Sequence, residues 1–147
     1  MNRSGIILLV DDSADDVDLT LRAFEREKVV KEIVVANDGE AALEYLFGTG
    51  SHAKRDLSVM PEVVLLDLNM PKMDGLSVLR RIRAHAPTRL LPVVVLTSST
   101  QERDLIASYD LGANSFVKKP VDFAQFLVAA RQLGLYWLAL NEAAPAH

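Results

Sequence analysis

The chain has 147 residues, close to the size of one typical domain of about 100–200 residues. Hydrophobic residues make up 50% and charged residues 24%, and there is no cysteine, so the composition is that of a globular protein and excludes disulfides and thiolate metal sites. The formal net charge of −4 argues against a nucleic-acid-binding protein held by phosphate contacts.

Five short apolar runs are the candidate strands. The first four are apolar on both faces, which is typical of strands covered by helices on both sides in a parallel sheet, and the fifth is expected at an edge. In chain order the predicted strands are 5–10, 33–36, 63–66, 93–96 and 115–118, the last being the weakest.

Helical patterns lie between these runs. Val17, Leu21 and Phe24 have the spacing of one helix face, and Asp122 precedes the final helical pattern as a capping residue. Residues 48–61 have no clear period and are read as an enlarged loop. The alternation predicts a doubly wound α/β fold, with a five-stranded parallel sheet in the order 2-1-3-4-5 and helices on both faces.

The spacing of charged residues indicates whether the chain has a membrane-spanning segment or a signal peptide. The longest stretch without an acidic or basic residue is 90–101, which is shorter than the roughly 20 residues that span a bilayer. The apolar run near the N-terminus is shorter than the roughly 7–15 residues of a signal peptide. We therefore expect a cytoplasmic protein without membrane association.

Polar residues follow the predicted strands where they end. Asp11 and Asp12 follow strand 1, Asp67 ends strand 3, Thr97 ends strand 4 and Lys119 follows strand 5. Since ligands bind at this edge of doubly wound sheets, three carboxylates are expected to converge in one crevice. A hard divalent cation such as Mg²⁺ would neutralise them, and the hydroxyl and ammonium groups suit a phosphoryl group.

The motifs that contain these residues resemble the receiver domain of two-component response regulators. They are Val-Asp-Asp at 10–12, Leu-Asp-Leu-Asn-Met-Pro-Lys-Met-Asp-Gly at 66–75, Leu-Thr-Ser at 96–98 and Lys-Lys-Pro at 118–120. The resemblance covers about residues 5–132 and implies the flavodoxin-like receiver fold. It also implies a sensor histidine kinase as partner, and self-catalysed phosphotransfer and dephosphorylation in place of conventional enzymatic turnover.

The resemblance implies a role for each matching residue. Asp67 would be the phosphoacceptor, and Thr97 and Lys119 would contact the phosphoryl group. Mg²⁺, or Mn²⁺ as a substitute, would be held by Asp11 (mainly through water), Asp12, Asp67 and the backbone carbonyl of Asn69. Thr97 and Phe116 would form the conformational switch. The family also implies a cis peptide bond between Lys119 and Pro120, and Lys118 is the alternative to Lys119.

Some charged residues are interpreted structurally. Asp15, Asp16 and Asp18 are read as acidic residues favoured at a helix N-terminus. Asp74 and Gly75 are read as a turn that starts a helix. The cluster of Arg80, Arg81 and Arg83 is read as a solvated helix face, with kinase docking as the alternative.

The enlarged loop and the C-terminal end resemble the small response regulators that work with bacterial and cyanobacterial phytochromes. These have no DNA-binding domain and signal by protein contact, so we expect the same here. The alternatives are a phosphorelay intermediate and a receiver that serves another kinase. A haloacid dehalogenase-like phosphatase is disfavoured because Asn69 stands where its general acid is needed. A flavin carrier is disfavoured because Asp11 and Asp12 would repel a flavin phosphate.

The division predicted from the sequence is a receiver domain at 1–132 and an apolar extension and tail at 133–147. The extension is apolar on more than one side, and we expect it to form a homodimer contact. Its predicted contact residues are Leu135, Tyr136, Trp137, Leu138 and Leu140. The alternatives are a final helix that folds back on its own sheet, and a dimer formed through helix 4 and strand 5.

Overall fold

The structure is a computed structural model that describes residues 3–25, 27–99, 101–120 and 122–145. The strands are β1 (Ile6–Val10), β2 (Glu32–Ala36), β3 (Val63–Leu66), β4 (Val93–Thr97) and β5 (Ser115–Lys118). The helices are α1 (Ala14–Phe24), α2 (Gly39–Phe47), α3 (Gly75–Ala84), α4 (Glu102–Asp110) and α5 (Phe123–Leu135). Every predicted strand is confirmed, with each end within one residue of its predicted position.

The sheet is parallel and its strand order is β2-β1-β3-β4-β5, as predicted. In its register, Val10 at the end of β1 lies opposite Leu66 at the end of β3. The residues that follow, Asp11 and Asp67, therefore lie at the same level of the sheet edge. The Asp67 amide donates a hydrogen bond to the Val10 carbonyl oxygen at 3.0 Å, which fixes this level.

Alternating strand residues build two apolar cores, one on each face of the sheet. Ile7 and Leu9 face α1 and α5, where they pack with buried side chains such as Phe24 and Phe126. Leu8 and Val10 face the other core, to which α2 and α3 contribute. The central strands β1, β3 and β4 are thus buried on both faces, which explains why their sequences are almost entirely apolar, whereas the edge strands β2 and β5 are only partly buried.

Helix α5 continues directly into a π-helical turn at Tyr136–Leu140. Trp137 is 7% exposed and Leu138 is 3% exposed, and both lie in the core that α1 and α5 cover. The Arg3 guanidinium secures this end by donating to the carbonyl oxygens of Leu138 (3.1 Å) and Asn141 (2.6 Å). The extension therefore folds back on its own sheet.

Two of the five residues of the predicted dimer contact are buried within the chain itself. Trp137 and Leu138 belong to the chain's own core, in the same cluster as Ala23 and Phe24 of α1. Leu135, Tyr136 and Leu140 are 51%, 50% and 63% exposed and remain at the surface.

The segment Phe123–Leu140 is long and apolar enough, by length and composition alone, to cross a membrane. This segment is not an uninterrupted uncharged stretch of the sequence, because Arg131 divides it. Phe126, Ala130 and Trp137 are buried in the protein core. Packing in the core accounts for the apolar character of these positions, whereas Phe123, Val128 and Leu140 are exposed.

The enlarged loop between α2 and β3 is organised by Arg55. Its guanidinium donates to the carbonyl oxygens of Tyr45 (2.7 Å) and Val59 (2.6 Å) and lies 4.1 Å from the centre of the Tyr45 ring. The loop begins at Gly48, which ends α2 in the left-handed conformation with φ of 70°. The Arg55 side chain therefore connects the last part of the loop, at Val59, to helix α2, at Tyr45.

Arg83 differs from the solvated residue that was predicted. Its guanidinium donates to the carbonyl oxygens of Leu91 and Gly112, both at 2.7 Å, and to Asn114 Oδ1 at 3.0 Å. Burial lowers the pKa of Arg83. Arg83 thus joins the C-terminal part of α3 to the segments that lead into β4 and β5, whereas Arg80 and Arg81 are exposed as predicted.

Candidate functional site

Three carboxylates converge at the carboxyl edge of the sheet. Asp11 and Asp12 follow β1 and Asp67 follows β3, and each offers one oxygen atom within 4.8 Å of the other two. Asp11 is 2% exposed and Asp67 is 7% exposed, whereas Asp12 is at the surface. The predicted convergence of these three side chains is therefore found in the structure.

The local environment favours protonation of Asp11. Burial raises its pKa, and the negative charge of Asp67 acts in the same direction. The hydrogen bonds from Lys119 and from the Ser13 amide oppose this shift without cancelling it. Burial is the largest of these influences, so the raised pKa of Asp11 reflects mainly its removal from solvent.

This donor set fits a hard divalent cation. It consists of oxygen atoms from three carboxylates, two of them buried, which are the ligands that Mg²⁺ and Mn²⁺ prefer. Asn69 lies beside the cluster, since its backbone amide donates a hydrogen bond to Asp67 Oδ1 at 3.4 Å. The carboxylates of Asp11, Asp12 and Asp67, with the Asn69 carbonyl, are the candidate ligands.

Lys119 is the cation of the site. Its Nζ lies 2.7 Å from Asp11 Oδ2, 2.8 Å from Asp16 Oδ2 and 3.6 Å from Asp67 Oδ2. Burial alone would lower the pKa of Lys119, but these carboxylates raise it overall. Lys118 is exposed, so Lys119 and not its neighbour belongs to the site.

Asp16 is a member of the site that the sequence analysis missed. It was read as an acidic residue at a helix N-terminus, and it does lie in the first turn of α1, where its amide donates to Ser13 Oγ at 3.3 Å. Its carboxylate nevertheless bonds Lys119. The available signal was its position: α1 starts directly after β1, so its first turn borders the carboxyl edge of the sheet.

Thr97 is fully buried at the end of β4. Its Oγ1 accepts a hydrogen bond from the Ser99 amide at 3.3 Å, and its carbonyl oxygen accepts one from the Lys119 amide at 2.8 Å. Phe116 is partly buried in β5, opposite Val95 of β4. The threonine therefore borders the carboxylate cluster through Lys119, while Phe116 lies two residues before the end of the neighbouring strand.

Two further expectations have clear outcomes. Asp74 caps α3 by accepting a hydrogen bond from the Ser77 amide at 2.8 Å, which confirms that Asp74 and Gly75 start this helix. The cis peptide expected between Lys119 and Pro120 is wrong, because the described residues contain no cis peptide bond. The trans form found here is favoured by about 0.5–1 kcal/mol before proline.

Comparison with known proteins gives one consistent family. The profile described as the response regulator receiver domain matches residues 7–131. The chain is 41% identical over 136 residues to "Probable methanogenesis regulatory protein FilR2" of Methanothrix harundinacea (strain 6Ac), covering 92% of this chain and 85% of that protein.

Solved structures extend the similarity to the whole fold. The phosphorylated cyanobacterial phytochrome response regulator RcpA superposes with a TM-score of 0.89 at 32% identity, covering 99% of this chain and 100% of that one. The bacteriophytochrome response regulator AtBRR has a TM-score of 0.73 at 50% identity, covering 97% of this chain and 99% of that one.

Proposed function

Because the chain belongs to the response regulator receiver family, we propose that it accepts a phosphoryl group on Asp67 from a sensor histidine kinase and signals by protein contact. One observation carries this assignment of residues. Asp67 directly follows β3, close to two further carboxylates and 3.6 Å from the Lys119 ammonium. This arrangement combines a nucleophile, a metal-binding donor set and a cation for the developing negative charge.

In the proposed reaction, an Asp67 carboxylate oxygen attacks the phosphorus atom of a phosphohistidine. The new bond is P–O and the broken bond is P–N, so the kinase imidazole leaves with its electron pair and takes up a proton. The product is an acyl phosphate on Asp67. Lys119 pairs with a phosphoryl oxygen, and the Thr97 hydroxyl donates to another after breaking its contact with the Ser99 amide.

Receiver domains bind Mg²⁺ or Mn²⁺ at this acidic pocket. Here Asp11, Asp12, Asp67 and the Asn69 carbonyl would hold the ion, which supplies positive charge that orients and stabilises the phosphoryl group. Asn69 has no carboxyl group to act as a general acid, which is the reason we do not assign a haloacid dehalogenase-like phosphatase.

Signalling would start at Thr97 and be transmitted through Phe116. Thr97 is buried, so moving its hydroxyl towards a phosphoryl group vacates space beside β5. Phe116 is only partly buried and would turn inwards in response. The face of α4, β5 and α5 is the surface that this exchange would change.

The kinase is proposed to be a phytochrome. AtBRR is a bacteriophytochrome response regulator and RcpA a cyanobacterial phytochrome response regulator, and each aligns with nearly all of this chain. FilR2, which is described as regulating methanogenesis, supports the alternative of a different kinase. Phosphotransfer from a purified phytochrome kinase, compared with other histidine kinases of the same genome, decides between them. We place this exchange in the cytoplasm.

A homodimer completes the proposal. The receiver domain would comprise residues 1–132, consistent with a family match that ends at 131, and residues 133–147 would form the extension. Leu135, Tyr136 and Leu140 are exposed on it and are the proposed contacts.

Mass spectrometry tests the phosphoacceptor. After incubation with a small phosphodonor and Mg²⁺, the wild-type protein should gain one phosphoryl group that hydroxylamine removes, and Asp67→Asn should gain none. Asp15→Asn, which removes a charge from the exposed first turn of α1, is the matched control and should label like the wild type. Full labelling of Asp67→Asn would refute the assignment.

A further inference from the structure

Lys119 has three N–H donors and three carboxylates around it, but the contacts are unequal. The bonds to Asp11 and Asp16 are 2.7 and 2.8 Å, whereas Asp67 is 3.6 Å away, beyond a good hydrogen bond. In this state the ammonium is held by the two residues that do not accept the phosphoryl group.

We propose that Asp16 is a positioning residue that holds Lys119 away from Asp67 and releases it when Asp67 is phosphorylated. This inference rests on the function proposed above. Asp16 would thereby favour the unphosphorylated state, because its bond to Lys119 is lost when the ammonium moves to the phosphoryl group.

Asp11 and Asp16 differ in what else they do. Asp11 belongs to the carboxylate cluster that fits a divalent cation, whereas Asp16 lies outside that cluster. When a cation is bound, the Asp11 carboxylate therefore interacts with both the cation and Lys119, whereas the Asp16 carboxylate interacts with Lys119 and not with the cation. Asp16 is the stronger competitor for the ammonium in the metal-loaded protein.

The backbone of α1 keeps Asp16 in place. The Asp16 amide donates to Ser13 Oγ, and the Thr20 hydroxyl donates to the Asp16 carbonyl oxygen at 2.8 Å. Its side chain is 37% exposed and that of Lys119 is 8% exposed. The lysine is thus confined to the crevice, whereas the carboxylate can turn to solvent once Lys119 leaves.

The test uses the full chain and beryllofluoride, a mimic of the phosphoryl group, in the presence of Mg²⁺. Asp16→Asn should bind beryllofluoride about threefold more tightly or better, since a partly exposed ion pair no longer opposes binding. Asp15→Asn removes the same charge from the same helix turn without touching Lys119 and should change the affinity less. Asp16→Glu restores the carboxylate and should return the affinity towards the wild-type value.

Two NMR measurements separate this role from a general effect of charge. In the metal-free protein, the Lys119 ammonium signal should lose protection from hydrogen exchange in Asp16→Asn and keep it in Asp15→Asn. In the wild-type protein, the carboxyl carbon signal of Asp16 should shift when beryllofluoride binds, which needs no variant to fold.

Weaker binding by Asp16→Asn, an effect equal to that of Asp15→Asn, or an Asp16 carboxyl signal that stays unchanged would each overturn the proposal. These outcomes differ from a failure of the proposed function, which would appear as a phosphoryl group on the Asp67→Asn protein.

Discussion

The backbone of Gly75 lies against that of Asp67, so that a Cβ atom at position 75 would come within 2.2 Å of the Asp67 carbonyl oxygen. The Gly75 amide also donates to the Leu68 carbonyl oxygen at 3.0 Å. The first turn of α3 therefore packs closely against the segment that carries the proposed phosphoacceptor. Only glycine permits this approach, because the conflicting atoms belong to the backbone.

Gly75→Ala should shift this segment and lower both stability and phosphorylation. We expect a loss of about 2 kcal/mol or more in the free energy of unfolding, because backbone atoms cannot move aside as a flexible side chain can. Gly39→Ala is the control, since Gly39 is also the first residue of a helix and its added Cβ would meet side chains of Val78 and Met73. Urea unfolding and phosphodonor labelling measure the effects; equal losses in both variants would contradict this explanation.

Most of the fold was predictable because a strand that is buried on both faces appears in the sequence as a run of consecutive apolar residues. The apolar runs gave the strands, and their alternation with helical patterns gave the parallel sheet. The strand ends then identified Asp11, Asp12, Asp67, Thr97 and Lys119, because parallel strands bring their carboxyl ends to one edge.

The features that were missed depend on contacts distant in sequence. Asp16 bonds Lys119 across 103 positions, and Arg83 reaches Asn114 across 31. Neither pair has a local pattern, and each residue has an ordinary surface explanation on its own helix. The position of Trp137 was left open between a dimer contact and a helix folded back on its own sheet, since apolar residues at this end of the chain fit an interface and a core equally well.

Arg83→Ala should destabilise the protein, because it leaves carbonyl groups of Leu91 and Gly112 without their donor. We expect a loss of about 1–3 kcal/mol in the free energy of unfolding. Arg80→Ala removes the same charge from the exposed side of α3 and should change stability by about 0.5 kcal/mol or less. Urea unfolding compares the two, and a similar small effect for both variants would mean that the Arg83 contacts contribute little.

Asp12→Asn should impair Mg²⁺ binding without unfolding the protein. Asp12 is exposed, so its removal costs no buried contact, and losing one of three crowded charges relieves repulsion. Isothermal titration calorimetry should show Mg²⁺ affinity reduced about tenfold or more, whereas Asp15→Asn stays near the wild type. The melting temperature without metal should be equal to or above that of the wild type. A clear decrease would indicate a structural role for Asp12.

Beryllofluoride should change NMR signals beyond the carboxylate cluster. If Thr97 and Phe116 form a coupled switch, the shifts should extend along β5 to the surfaces of α4 and α5. Thr97→Ala removes the hydroxyl that would move, so its distant shifts should disappear while those near Asp67 remain. Wild-type shifts confined to the neighbourhood of Asp67 would exclude this route.

The extension should mediate dimer formation through its exposed residues. Removing the whole extension is a poor test, because Trp137 and Leu138 belong to the core and their loss would destabilise the domain. Tyr136→Glu places a charge at a position that is 50% exposed and should give a folded monomer. Ile106→Glu, on exposed α4, tests the alternative dimer surface and should leave the dimer intact. Light scattering at micromolar concentrations measures the mass; a monomeric wild type, or a Tyr136→Glu variant that remains dimeric, would rule out this contact.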